Sequence, residues 1–209
     1  RLLDDKGAVL GEAIVGKKRA GGGGLGKGGT YVRKPGDAQT WLAAADINGG
    51  IGLRDWAKAR IFETAPDKIT KLKIEIPGDA AYDIVRDPGG EHKLAEIPAG
   101  KKLKYMNVVD NIVEATAFME FEDVRKASDG SGDASTVTLE TEAGLKVTFK
   151  FRRDKDATWL AISAAGDGDA KKTADDLSQR TNGWEFKILP SKADATLKRR
   201  DDLLEDSSS

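Results

Sequence analysis

Strict alternation of apolar and charged residues is the feature that most narrows the fold. In "KITKLKIEI" (68–76), Leu72, Ile74 and Ile76 fall on one side of an extended chain and Lys71, Lys73 and Glu75 on the other. A helix of 3.6 residues per turn would scatter the same residues around its circumference. "LKVTFKFRR" (145–153) repeats the pattern, with Val147, Phe149 and Phe151 opposite Thr148, Lys150 and Arg152. Both segments read as strands of a sheet with one dry face and one wet face.

The segments between strands fix the topology. "DDKG" (4–7), "KPGD" (34–37), "IPGD" (76–79), "DPGG" (87–90), "TEAG" (141–144) and "RDKDA" (153–157) are turn sequences, rich in residues that preset φ or tolerate positive φ. Connections this short join antiparallel neighbours, because parallel strands need a crossover of about a dozen residues or more. Helical periodicity comes in blocks instead, at 53–61, 107–118, 170–181 and 191–205. In the second block Val109, Ile112, Val113 and Thr116 make one face, Asn107 is placed to cap, and Asp110 stands where a capping box has its acid. Asn182-Gly183 stops the third block, and Asp169 in "GDGDA" reads as its cap. The expected class is α+β, antiparallel β-meanders with helices packed on one face.

Two halves of the chain echo each other. "QTWLAAAD" (39–46) and "RIFETAPDKI" (60–69) parallel "ATWLAISA" (157–164) and "WEFKILPSKA" (184–193). The echo implies two related units, a first truncated one over 1–66 and a second over 67–209, or one continuous domain. The comparison reads 39–46 and 157–164 as helices, although the Thr-Trp-Leu triplets within them have strand character.

Composition removes several classes of function. There is no cysteine, hence no disulfide, thiolate metal site or thiol nucleophile. With 34 Lys and Arg against 35 Asp and Glu the net charge is -1, so nothing draws the chain toward nucleic acid. No run approaches the roughly 18 apolar residues of a membrane span. The chain starts at Arg1 within "RLLDD", which reads as strand and points to a segment excised from a longer protein.

The motifs with chemical potential are weak on inspection. "GGGGLGKG" (21–28) overlays a phosphate-binding loop, but the hydroxyl position after Lys27 is Gly28. The β-branched and aromatic "TYVRK" that follows is a strand, whereas a phosphate cradle needs a helix N-terminus. A hairpin linker is the expectation. His92, the one histidine, has no nucleophile beside it and reads as a surface residue. "DGSGDAS" (129–135) spaces Asp129, Ser131 and Asp133 like a calcium loop, yet Ala134 holds the glycine position and the twelfth position lacks its acid, so a solvated loop is expected. The carboxylates are too scattered to pair as acid and base. No cofactor or metal is called for. Trp41 and Trp159 occupy matching positions in the two halves; as core anchors they would pack, and as exposed residues they would form an aromatic platform, with packing the favoured reading. Trp56 and Trp184 also read as packing residues. Tyr31, Trp41 and Trp159 are the candidates for a ligand or partner surface.

Four stretches in order, "LLDDKGAVLGEAIVGKKR", "GGTYVRKPGDAQTWL", "DWAKARIFETAPDKITKLKI" and "GWEFKILPSKADATLKRRDDLLED", resemble the bacterial domain of unknown function 4340 family. The glycine run departs from the tighter loop expected there. The resemblance implies an envelope protein with one N-terminal membrane helix and its repeated domain outside the cytoplasmic membrane, encoded near ABC-transporter components of the gliding-motility auxiliary type. It transfers no catalytic residue. The resulting expectation is a non-enzymatic, periplasmic binding or scaffold module for a protein or glycan partner, touching the membrane only through its anchor. The alternative is a metal-assisted hydrolase built from converging carboxylates.

Overall fold

A computed structural model describes residues 1–20, 28–45, 47, 57–128 and 133–207. Its strands are mostly antiparallel and helices are few, so the class is α+β. The chain divides into two compact units, 1–55 and 56–209.

The small unit contains β1 (Leu2–Leu3), β2 (Val9–Gly11), β3 (Ile14–Arg19), β4 (Gly29–Arg33) and β5 (Thr40–Ala43). β1 pairs with β2, and β3-β4-β5 form an antiparallel sheet. The glycine run lies outside the described residues, but its flanks are two paired strands, with Arg19 opposite Gly29. Among the described residues of this unit Leu10, Ile14, Val15 and Trp41 are exposed, and Thr30 is the one buried residue. Thr30 Oγ1 donates to the Ala45 carbonyl and accepts from the Ile47 amide, both at 3.0 Å.

The large unit begins with β6 (Arg60–Glu63) and continues with β7 (Ile69–Glu75), β8 (Tyr82–Arg86), β9 (His92–Leu94) and β10 (Lys101–Leu103). Helix α1 (Val108–Ala117) leads straight into β11 (Phe118–Glu120). β12 (Asp123–Lys126), β13 (Ala134–Thr141), β14 (Lys146–Asp154) and β15 (Ala157–Ala165) follow. The chain ends with α2 (Asp169–Thr181), β16 (Trp184–Ile188), α3 (Pro190–Thr196) and β17 (Leu204–Asp206). Eight strands make one antiparallel sheet in the order β12-β16-β15-β14-β13-β7-β8-β9.

Alternation does what the sequence demands. Leu72, Ile74, Ile84, Val137, Leu139, Val147, Phe149, Phe151, Leu160 and Ile162 are buried on one face, in register across the adjacent strands β8, β7, β13, β14 and β15. Helix α1 contributes Val109, Ile112, Val113 and Thr116 to the core, the residues its periodicity selects. Phe62 of β6 meets Phe149 edge to face, ring centroids 5.2 Å apart. The opposite face is polar and laced with ion pairs such as Lys71–Asp83 and Lys146–Glu140. Among the described residues no helix is long and apolar enough to cross a membrane.

The turns close as their sequences require. In "KPGD" and "IPGD" the proline sits at the second position and Gly36 and Gly78 take φ near +80°, where a side chain would be strained. The carbonyls of Lys34 and Ile76 accept from the amides of Asp37 and Asp79 at 3.1 and 3.0 Å.

Several expectations need correction. The segments 39–46 and 157–164 hold strands β5 and β15 where the repeat comparison has helices, because β15 is claimed along its length by β14, Ala157 to Ala165 facing Asp154 to Lys146. The helix over 191–205 stops at Thr196 and gives way to a 3-10 turn (Arg200–Leu203) and β17, which pairs with β10. Of the helix over 53–61, residues 53–56 lie outside the described residues, as does Trp56, and Arg60 and Ile61 open a strand. Asn107 precedes α1 as expected, but its carbonyl accepts from Asn111 while its side chain makes no cap. Gly168, with φ +55°, precedes α2, and Asp169 is the first helical residue instead of the cap.

Candidate functional site

The groove between α1 and α3 combines apolar walls with an unusual charge. Asn111 and Ala115 lie one turn apart on the side of α1 turned away from the core, Phe118 follows at the end of the helix, and Lys192 and Ala195 line the facing side of α3. The open groove has a volume of about 410 Å³ and is walled also by Ala115, Leu189 and Phe118. Phe118 ends α1 by turning extended, φ -143° and ψ 145°, and stays 40% exposed; Leu189, just before Pro190, is 43% exposed. Glu114, Glu120 and Ser191 form the polar rim.

Lys192 Nζ lies 3.5 Å from the centre of the Phe118 ring, a cation–π contact. Among the described residues no carboxylate is within ion-pairing distance of it. Glu120 attracts it only at longer range, because the Glu120 carboxylate accepts from Arg60 Nε and Nη2 at 3.3 and 3.2 Å. Partial burial therefore dominates and pulls the amine down to about 8 from its ordinary 10.5. A half-buried cation with no counter-ion among the described residues, flanked by an exposed ring and an exposed leucine, is equipped to receive an anionic, partly apolar group.

The residues singled out from sequence do not assemble. Tyr31 and Trp41 lie in the small unit, on opposite faces of the β3-β4-β5 sheet: Trp41 pairs with Val32, whereas Tyr31 pairs with Leu42. Trp41 is 60% exposed, so it is not a core anchor. Trp159, in the large unit, is half-buried on the wet face of the eight-stranded sheet, with the Arg125 guanidinium 3.9 Å above its ring. That cation covers the ring face a ligand would stack on. Trp184 is 41% exposed at the start of β16, also contrary to a packing role.

Beside Trp159 is a second cluster that the sequence did not disclose. Glu185, 2% exposed, accepts from Arg125 Nε and Arg152 Nη1, both at 2.9 Å, and Arg125 also reaches Asp154 at 2.7 Å. The Arg125 guanidinium holds the Asp154 carboxyl below its usual range. All charges in this cluster are matched, which suits a structural clamp across β12, β14, β15 and β16.

His92 does not sit free on the surface, since its Nε2 is 2.9 Å from the Ile69 carbonyl. Asp129 and Ser131 lie outside the described residues, and Asp133 directly precedes β13. Among the described residues no three His, Asp or Glu side chains come together as a metal site.

A family model described as "Domain of unknown function (DUF4340)" matches residues 15–146, more than half the chain. The match takes in α1 and Phe118 and ends before α3 and Lys192. No curated protein and no solved structure matches the chain.

Proposed function

From the premise that the chain belongs to the DUF4340 family, we propose that it is a non-enzymatic binding or scaffold module of the cell envelope. Its full-length form is held at the membrane by an N-terminal helix and works outside the cytoplasm beside an ABC transporter. The family resemblance supports that placement. The observation that carries the binding reading is the α1–α3 groove, where Lys192, with no counter-ion among the described residues, shares the wall with Phe118 and Leu189.

A partner protein fits this groove better than a glycan. Phe118 already has Lys192 over its ring, and Arg60 lies 5.6 Å from the ring centre, so the face a sugar would stack on is taken. No observation favours the hydrolase alternative, which needs several acids to converge: among the described residues no three come together as a metal site.

The test is capture from envelope extract with the chain as bait, beside a Phe118→Ser, Leu189→Ser bait checked for folding. The reading expects a defined protein held by the first and released by the second. Identical captures by both baits, or none by either, overturn it.

A further inference from the structure

We propose that the α1–α3 groove binds a peptide carboxylate adjoining an apolar side chain, the carboxylate on Lys192 Nζ and the side chain against Leu189, Ala115 and Ala195. This rests on the binding reading above and names the chemistry of its ligand. Three features of the groove converge on it. Lys192 has no ion-pair partner among the described residues, so an incoming anion replaces lost hydration without breaking an ion pair. The groove, open and about 410 Å³ in volume, has ample room for a branched or aromatic side chain. The rim carries Asn111, Ser191 and Glu114, exposed hydrogen-bonding groups that a peptide's amides can engage and an alkyl chain cannot.

The acids around Lys192 are arranged to admit a second carboxylate. Glu120 of β11 is turned to Arg60 of β6, which also holds Glu63 at 2.8 Å, so part of its charge is already neutralised. Glu114 of α1 is exposed and screened by water. Asp194 of α3 is drawn to Arg153. Binding an anion favours the charged amine, so affinity is full below the Lys192 value of about 8 and falls as the pH rises through it.

The experiment is an NMR titration of the full chain with N-acetyl-leucine, N-acetyl-leucinamide and octanoate, following amides and methyls of residues 111–118 and 189–195. N-acetyl-leucine should give saturable shifts in the groove with a millimolar dissociation constant, and the uncharged amide should bind at least tenfold more weakly. Lys192→Met should lose tenfold or more for the acid while leaving the amide unchanged, and Lys192→Arg should bind within threefold of the parent. Equal binding of acid and amide, or an unaltered Lys192→Met, overturns the proposal. Octanoate binding tenfold tighter than N-acetyl-leucine overturns it in favour of a free amphiphile. If these probes fail while capture of the partner still depends on Phe118 and Leu189, the ligand chemistry is wrong and the binding reading stands. If the probes bind and capture fails, the reverse holds.

Discussion

Replacing Glu185 by Gln isolates the cost of breaking a buried ion cluster. The side chain keeps its shape and loses its charge, so packing is nearly unchanged. Two charge-assisted hydrogen bonds at 2.9 Å are affected, each worth roughly 1.5–3 kcal/mol net. The two arginines differ in what they can do next. Arg125 keeps Asp154 at 2.7 Å and the Trp159 ring, and its side chain is 31% exposed, so water and remaining partners absorb the change. Arg152 is 15% exposed, its other bonds go to Ser128, and its Nε is without a partner among the described residues. Most of the loss therefore falls on Arg152. Removing one member of a buried pair typically costs about 3–5 kcal/mol; because the glutamine oxygen still accepts one bond, about 3 kcal/mol is expected here. Urea unfolding followed by circular dichroism should show a lower midpoint at constant slope. In an Arg152→Met background the same Glu185→Gln change should cost about 1 kcal/mol. A cost under about 1 kcal/mol in the parent, or equal costs in both backgrounds, refutes the assignment of the burden to Arg152.

Further outcomes follow from the geometry. Tyr82 is buried, its hydroxyl donating to the Lys198 carbonyl at 2.7 Å, and burial raises the phenol above its ordinary value near 10, so of the three tyrosines it should ionise last in an ultraviolet alkaline titration, and Tyr82→Phe should delete that late phase. The neutral phenol is favoured only in the folded chain, so stability should also fall as pH climbs above about 10. Because the Lys192 amine is lowered, its burial penalty is fully present below about 8 and fades toward 10.5; Lys192→Met should raise the melting temperature most at neutral pH and least above 10.5. Phe149→Ala, at a fully buried ring against Phe62 and Phe151, should cost about 3–5 kcal/mol by urea unfolding, and Gly166→Ala should also destabilise, since its Cβ would stand 2.9 Å from that of Ala170.

What could be read in advance was what is encoded locally. The alternation of 68–76 and 145–153, the Pro-Gly turns and the face of α1 depend on residues a few positions apart, and the structure has them as read. The misread segments are those where distant pairing decides. "ATWLAISA" has enough Ala and Leu to look helical, but β14 and β16 flank it and its Thr, Trp and Ile suit a strand. Nothing near Leu204 to Asp206 announces a strand, because its partner is Lys101 to Leu103, a hundred residues earlier. The groove is assembled from α1 and α3, and its one local sign is Phe118, an aromatic residue next to the apolar stripe of α1. Likewise alternation in "WEFKI" puts Glu185 on the wet face; its burial comes from Arg125 and Arg152 on other strands, which no local pattern reveals.

The order of the eight-stranded sheet also bears on how the chain folds. Two meanders, β7-β8-β9 and β13-β14-β15-β16, are each joined by short turns apart from the α2 excursion, and they meet only where β13 lies against β7, Leu139 beside Leu72 and Val137 beside Ile74. Closing that seam ties together strands more than sixty residues apart, and its loop-closure entropy must be met before any of its bonds are gained. Hairpins such as β14–β15 can form on the microsecond scale, whereas the seam sets the pace of the whole sheet. Truncating Leu139 or Ile74 should therefore slow refolding, while truncations in the outer strands should mainly hasten unfolding.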